Sequence, residues 1–301
     1  MINSTMIDPR ALRTFLAVCR EGTISGAARA LNISQPSVSV AIAELERQLS
    51  AILFERSRTG IRLTPAGQAL QRRAEAMDGL LREARSEVAL ARDGVLGPLR
   101  IGGTPGALVS LVPEAISQLE AGGERFALSV IERSDAELVD LLRRREIELA
   151  FVTTGLEPPA EDIDERSCLR DPFDLMAGQQ NAHLPDRLLL KEARALQWVL
   201  PDAAGGFRRQ LDALFIAAGV AMPADVIRCD SLLTTKAIVR GSRHVTILPQ
   251  RVAAAELSMG QLRAITLLDA QVQRTVGIRL LKQVRLSEFG ERLLDVLPMI
   301  H

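Results

Sequence analysis

The chain has 301 residues, of which 47% are apolar, and 37 basic residues balance 37 acidic ones. This length fits two domains, and the apolar content is sufficient for buried cores. A balanced charge argues against a chain that is basic throughout, as many nucleic-acid binders are. The charge is uneven, however, because residues 1–65 hold eight arginines and five acidic residues, a net charge of +3 (8 − 5).

The sequence lacks the features of an exported or membrane-spanning protein. Its first residues, MINSTMIDPRALRTF, have no charged start followed by an apolar run, and no segment approaches about 18 uninterrupted apolar residues. Cys19, Cys168 and Cys229 are far apart and form no CxxC pair, which favours buried or incidental thiols in a reducing compartment. We therefore expect a cytoplasmic protein without a membrane span.

The pattern from residue 12 to residue 49 predicts three short helices. LRTFLAVCREG is amphipathic, and residues 23–49 predict two further helices that cross at a steep angle. Asn32 tolerates a left-handed backbone and suits the corner between them. Ser34 is a good N-cap, and Pro36 in the first turn has no amide hydrogen to leave unpaired. This is a helix-turn-helix whose second helix begins with short polar side chains, which can reach base edges in the major groove.

Beyond these helices, LFERSRTGIRLTPAG predicts two short strands around a turn at Thr59-Gly60, a basic wing suited to phosphate contact. The alternative is an ordinary three-helix packing unit in which Ser34 and Pro36 merely begin a helix. The residues predicted to bind DNA are Ser34, Gln35, Pro36, Ser37, Ser39, Arg56, Arg58, Arg62 and Thr64.

Residues 7–67 resemble the winged helix-turn-helix of the LysR-type transcriptional regulators. The resemblance is carried by LRTFLAVCREGTISGAARALNISQPSVSVAIAELE followed by LFERSRTGIRLTPAG. Two positions depart from the usual family pattern, because Val40 stands where a basic residue is common and Ser50 where glycine is common. We expect the fold to be unaffected and the base preference or affinity to differ.

Residues 64–93 predict a single long helix that begins at Thr64-Pro65 and ends at Gly94. Its apolar residues recur at alternating steps of four and three, a heptad stripe that predicts pairing with a second copy. The alternative is a helix packed on its own effector domain. The predicted pairing residues are Leu70, Ala74, Met77, Leu81, Ala84 and Val88.

From residue 97 onward, strands and helices alternate, which predicts parallel sheets covered by helices on both faces. Two similar α/β sets follow one another, and the family resemblance implies a fold like that of periplasmic binding proteins. The predicted domains are a winged helix-turn-helix at 7–64, a linker helix at 65–94 and an effector domain at 95–301. Within the last, subdomain I comprises 95–164 and 267–301, and subdomain II comprises 165–266.

Ligands in such sheets bind beyond the carboxyl ends of parallel strands, where helix amino termini present free amides. The predicted effector-binding residues are Thr104, Pro105, Thr153, Thr154, Pro201 and Ser231. Hydroxyls and free amides favour a small anion, although plain N-capping would also explain the hydroxyls. Cys229 stands where relatives often have an acidic or polar residue.

The scattered histidines, His183, His244 and His301, have no metal-ligand spacing, and HExxH, GxSxG, GxGxxG and GxxxxGK are absent from the sequence. We expect no catalytic residues, no metal and no cofactor. The predicted function is a LysR-like regulator that binds a palindromic operator as a homodimer or homotetramer and responds to a small anionic effector, with RNA polymerase a candidate partner. The alternative is a cytoplasmic small-molecule receptor without a DNA role.

Overall fold

A computed structural model describes residues 7–57, 60–202 and 205–300, and for residues 56, 57, 60 and 83 it describes the backbone alone. The chain forms two compact units. The first ends at Ala89, and the second begins at Leu90 and includes the remainder apart from residues 144–146. Within the described residues, no helix is both long enough and apolar enough to cross a membrane.

Three helices and a two-stranded hairpin form the core of the first unit. In chain order these elements, with the long helix that follows them, are α1 (Pro9–Glu21), α2 (Ile24–Leu31), α3 (Gln35–Leu49), β1 (Phe54–Ser57), β2 (Gly60–Leu63) and α4 (Pro65–Arg92). β1 and β2 are antiparallel. The buried side chains that hold them together include Phe15, Ala27, Val38, Leu45 and Leu53.

The local signals for the helix-turn-helix are confirmed. Asn32 ends α2 with a left-handed backbone at φ 56°, and the Ser34 hydroxyl caps α3 by accepting a hydrogen bond from the Ser37 amide at 3.2 Å. Ser50 also adopts a left-handed backbone, with φ 50°, at the end of α3. This conformation normally favours glycine, so the serine there carries a small strain that the surrounding fold accommodates.

The second unit is built on a mixed sheet flanked by helices. Its elements are β3 (Leu96–Gly103), α5 (Pro105–Ala121), β4 (Phe126–Glu132), α6 (Asp135–Arg143), β5 (Leu149–Thr154), β6 (Ile163–Gly178), β7 (Arg187–Leu188), α7 (Leu190–Ala193), β8 (Gln197–Leu200), α8 (Gly206–Ala217), β9 (Val226–Arg228), α9 (Leu232–Gly241), β10 (His244–Pro249), α10 (Ala254–Ser258), β11 (Leu262–Leu267), β12 (Gln273–Leu281) and α11 (Glu288–Asp295). Two short 3-10 helices, Gln179–Asn181 and Gln250–Ala253, complete it.

The strand order is β4-β3-β5-β12-β6-β10-β8-β9, with β11 pairing with β6 and β7. The predicted parallel pairs are present at both ends of the sheet, but the sheet is not wholly parallel, because β12 and β6 run antiparallel to their neighbours. β6 is the longest strand, with 16 residues. Its first part pairs with β12, and its last part pairs with β10 and β11.

Candidate functional site

The predicted polar face of α3 is exposed. Ser34, Gln35, Pro36, Ser37 and Ser39 all lie on the surface, and the opposite face of the helix is buried through Val38, Ile42 and Leu45. The hydroxyls of Ser34 and Ser37 lie 2.7 Å apart, so each can exchange this local bond for one to an external acceptor or donor.

The wing is only partly covered by the described residues. Arg62 is exposed on β2, where it lies opposite Glu55 in the strand register. Arg56 is described by its backbone in β1, and Arg58 lies outside the described residues. An acidic neighbour lowers the positive potential at Arg62, so the wing presents less charge than its arginines alone suggest.

Thr64 differs from the other predicted DNA-binding residues because it is buried. Its hydroxyl donates to the Ile52 carbonyl at 2.7 Å and accepts from the Gly67 amide at 3.0 Å. The first bond ties the residue after β2 to the segment before β1, and the second ties it to the first turn of α4. The sequence suggested a surface residue here because a threonine that caps a helix and one that faces a ligand have the same local pattern.

The connection between α3 and the wing depends on Glu46, which the sequence did not reveal. Its Oε1 accepts hydrogen bonds from the backbone amides of Leu53 at 2.7 Å and Phe54 at 3.3 Å. Aromatic packing between Phe15 and Phe54, with ring centroids 5.1 Å apart, fixes the same segment on α1. The wing is therefore held at a set position relative to α3.

The predicted pairing stripe of α4 divides into two parts. Leu70, Ala74 and Met77 pack against the core of the first unit. The remaining members, Leu81, Ala84 and Val88, are exposed. The first half of the stripe therefore has a partner within the same chain, whereas the second half presents apolar side chains to the surface of the isolated chain.

An acidic residue near the middle of α4 anchors this helix on α1. Asp78 is largely buried and has guanidinium nitrogens of Arg13, Arg20 and Arg82 at 3.9, 3.6 and 3.6 Å. Three positive charges around one carboxylate form a network, which is more stabilising than an isolated surface pair. This network fixes the direction in which α4 leaves the core of the first unit.

In the second unit, a cavity of about 900 Å³ lies at the carboxyl ends of several strands. Four of the six residues predicted to bind an effector line it, namely Thr104, Pro105, Thr153 and Pro201. Thr154 and Ser231 are not in the lining. The Thr154 side chain is buried and lies 3.1 Å from the Ser167 hydroxyl, and Ser231 caps α9 by accepting from the Thr234 amide at 3.3 Å.

The start of α5 forms one corner of this cavity. Thr104 is the N-cap residue, yet its hydroxyl makes no capping hydrogen bond, unlike those of Thr23 and Ser34. Pro105 follows and has no amide hydrogen. A helix start whose N-cap hydroxyl makes no capping bond, at the wall of a cavity, is suited to an acceptor group of a ligand.

Arg274 is an important cavity residue that the sequence did not reveal. It is 4% exposed, and its Nη2 donates to Asp171 at 2.9 Å, Ser110 at 2.8 Å and the Gly106 carbonyl at 3.0 Å. A Cβ placed on Gly106 would lie 2.7 Å from Arg274 Nη1, so the glycine allows this close approach. Burial lowers the pKa of Arg274, and the adjacent Asp171 carboxylate opposes that effect.

Most of the other cavity arginines are already paired. Arg279 contacts Glu165 at 2.7 Å and Asp135 at 3.2 Å, Arg208 contacts Asp212 at 2.9 Å, and Arg209 contacts Glu157 at 3.3 Å. Arg133 donates to the Glu132 carbonyl at 2.7 Å. The lining also contains apolar side chains such as Phe207, Leu248 and Val252. The cavity is therefore not strongly basic, and it suits a ligand with an apolar body.

All three cysteines are free thiols. Burial is the main cause that raises the pKa of Cys19 to about 12, and burial raises that of Cys168 to about 11. Cys229 lines the cavity, and its sulfur lies 3.5 Å from the Ser231 carbonyl. Among the described residues, no group of three or more histidine, cysteine and acidic side chains could hold a metal ion.

A helix-turn-helix with a wing, joined through a long helix to an α/β unit with a cavity, defines a class of DNA-binding regulators. Two family models match the chain. The model described as "Bacterial regulatory helix-turn-helix protein, lysR family" matches residues 9–68, and the model described as "LysR substrate binding domain" matches residues 92–298. The chain belongs to the LysR family of bacterial transcriptional regulators, and it is a DNA-binding regulator of that type.

A transcriptional regulator of related sequence agrees with this assignment, and two solved structures share the fold. The transcriptional regulator GbpR of Rhizobium radiobacter is 29% identical over 252 residues, which cover 80% of this chain and 81% of GbpR. The fold is similar to that of CbnR in complex with its target DNA, with a TM-score of 0.69 and 20% identity over 96% of this chain and 98% of CbnR. A full-length OxyR variant of Pseudomonas aeruginosa gives a TM-score of 0.67 at 23% identity, covering 97% of this chain and 94% of OxyR.

Proposed function

We propose that this regulator binds operator DNA through the exposed face of α3, with Gln35, Pro36, Ser37 and Ser39 at the base edges. The observation that carries this proposal is the exposure of these short side chains at the start of a helix whose opposite face is buried. N-terminal residues of a recognition helix reach base edges when the helix enters the major groove. The Ser34 hydroxyl caps the same helix start and completes its polar surface.

In this proposal the wing contacts the DNA backbone. The arginines at positions 56, 58 and 62 supply phosphate contacts, which position a protein without reading sequence. Thr64 contributes by fixing the wing to α4, because its hydroxyl is engaged at Ile52 and Gly67. Because residues 1–65 carry a net charge of only +3, the affinity for operator DNA depends on several contacts made by more than one subunit.

The exposed second half of α4 pairs two copies in this proposal. Its 28 residues make α4 about 42 Å long, at 1.5 Å per residue. Leu81, Ala84 and Val88 form an exposed apolar stripe for a second copy. A two-fold pair presents two recognition helices to a palindromic operator, and two such pairs can form a tetramer. RNA polymerase is a further candidate partner.

The cavity of the second unit binds the effector in this proposal. An anionic or acceptor group sits at the start of α5, near Thr104 and Arg274, and an apolar body lies against Phe207 and Leu248. Because most cavity arginines are neutralised, one such group is favoured over several. The effector alters operator binding only as far as it binds one arrangement of the subunits more tightly than another.

Replacing Thr104 by valine is expected to weaken binding of a carboxylate effector about tenfold, because one hydrogen bond to a charged group is lost. A panel of small carboxylates, each paired with its primary amide, can be titrated by calorimetry. The matched control is Thr266→Val on β11, outside the cavity lining. Equal affinities of a carboxylate for the Thr104→Val variant and the unaltered protein would contradict the assignment of this corner.

The operator can be identified by selecting bound duplexes from random DNA. We expect enrichment of an inverted repeat whose half-sites are one helical turn apart, about 10 base pairs, or a multiple of it. Recovery of no enriched sequence would contradict the proposed function. When an operator is recovered, the genes next to it in the genome would indicate the effector.

The proposal includes no catalytic residues, and the related proteins are transcriptional regulators. We place the protein in the cytoplasm, where a bacterial regulator meets its operator. Membership of the LysR family favours this regulator over a small-molecule receptor without a DNA role.

A further inference from the structure

Val40 is an apolar side chain at the centre of the exposed face of α3. It is 69% exposed. Each residue of a helix advances about 100°, which places Val40 on the side opposite the buried Val38, Ile42 and Leu45. Pro36 lies one turn before it and Ala43 about one turn after it, and both are exposed. An apolar strip therefore follows the middle of the surface that we assign to the major groove.

The fold provides no packing role for this side chain. Val40 is not part of the core of the first unit, which takes Val38 and Ile42 from the same helix. A β-branched residue is also a poorer helix former than the unbranched residues that commonly occupy exposed helix positions. Single exposed apolar residues are ordinary on protein surfaces, so the position of Val40 rather than its exposure carries the inference.

The neighbours of Val40 towards the start of α3 are uncharged. Ser37 and Ser39 flank the strip, and the first charged side chain of α3 is that of Glu44, one turn beyond Val40. Its charge is neutralised by Arg47, whose Nε donates to Glu44 at 2.7 Å. The first turns of α3 therefore offer hydroxyls, the Gln35 amide and one branched aliphatic group to the DNA, and no net charge for phosphates.

We propose that Val40 packs against the 5-methyl group of a thymine and so specifies a T·A pair in each half-site of the operator. In the major groove the thymine methyl is the apolar feature that distinguishes T·A from the other pairs, and aliphatic side chains contact it. This inference rests on the proposed function, in which the exposed face of α3 enters that groove.

The test replaces thymine by deoxyuridine, which lacks only the methyl group, at each invariant T of the selected operator. For the unaltered protein we expect one symmetric position at which deoxyuridine weakens binding. The expected loss of affinity is about fourfold per half-site, because one methyl group is no longer buried. The Val40→Ala variant should bind both duplexes equally. Ile52→Ala is the matched control, because Ile52 is 68% exposed in the same unit but lies after the end of α3, and it should retain the deoxyuridine effect.

Two results would overturn this inference while leaving the proposed function intact. One is operator binding by the unaltered protein that no deoxyuridine substitution weakens. The other is an equal deoxyuridine effect in Val40→Ala, which would assign the methyl contact to another residue. Failure of the unaltered protein to bind any duplex would overturn both proposals. Thermal unfolding of Val40→Ala should occur at or slightly above the temperature of the unaltered protein, because the side chain is exposed and alanine is the better helix former.

Discussion

Replacing Ser37 by glutamate is expected to reduce operator affinity at least about 100-fold, since loss of one base contact costs about 1–3 kcal/mol and the new carboxylate adds repulsion from the phosphates. Ser37 is exposed in the first turn of α3, and the cap of that helix is the Ser34 hydroxyl, which binds the Ser37 backbone amide. The substitution keeps that amide, and a carboxylate near a helix amino terminus is electrostatically favourable. We therefore expect the fold to persist. Fluorescence anisotropy with the selected duplex measures the change.

The matched control for this prediction is Ser117→Glu. Ser117 is also exposed on a helix, α5, but in the second unit, so the variant has the same composition and net charge. We expect it to bind the operator as the unaltered protein does. Operator affinity of Ser37→Glu equal to that of Ser117→Glu would remove the start of α3 from the DNA interface.

The second large effect is expected from Val88→Glu on α4. Val88 is 74% exposed in the isolated chain, so the fold of one subunit does not depend on it. In a two-fold seam, the substitution buries a carboxylate from each chain among the apolar side chains of the stripe. Burying unpaired charges costs several kcal/mol. We therefore expect the dissociation constant of the dimer to rise at least about 100-fold. Sedimentation equilibrium should show a shift towards the mass of a single subunit.

The control variant for the seam is Ala89→Glu, at the adjacent position. Ala89 is exposed, but one residue of helical rotation, about 100°, carries it away from the stripe of Leu81 and Val88. This variant should keep the mass of the unaltered protein. Equal masses for Val88→Glu and Ala89→Glu, both matching the unaltered protein, would contradict the seam.

The helix-turn-helix was predictable because its signals are local. Asn32 and Ser34 have conformational preferences that act over a few residues, and the structure confirms the left-handed corner and the capped helix. The starts of α5 and α9 were predictable for the same reason. β11 and the first part of β6 were not predicted, because their alternating apolar residues are interrupted by arginines and acidic residues.

The role of the α4 stripe could not be derived from its spacing alone. A heptad pattern states that one face of a helix is apolar, not which surface covers it. In the structure Leu70, Ala74 and Met77 are covered by the same chain, which narrows the predicted pairing surface to the second half of the helix. Only the three-dimensional structure distinguishes apolar residues that pack within the chain from those that remain available for a second copy.

The position of the cavity could be predicted from the sequence, but the chemistry of its lining could not. Thr104, Thr153 and Pro201, which we chose by the rule that ligands bind beyond the carboxyl ends of strands, line this cavity. Arg274 and Asp171, however, are 103 residues apart in sequence, and neither has a local pattern that reveals the ion pair. Such long-range pairs arise from strand order, here the pairing of β12 with β6.

The most direct test of the account is the mass of the protein bound to its selected operator, measured by sedimentation or native mass spectrometry. If paired subunits each insert one α3, a duplex that contains one inverted repeat should carry an even number of chains, at least two. They also predict that a duplex with one half-site destroyed binds far more weakly. A single chain per duplex, with unchanged affinity when one half-site is destroyed, would contradict the account.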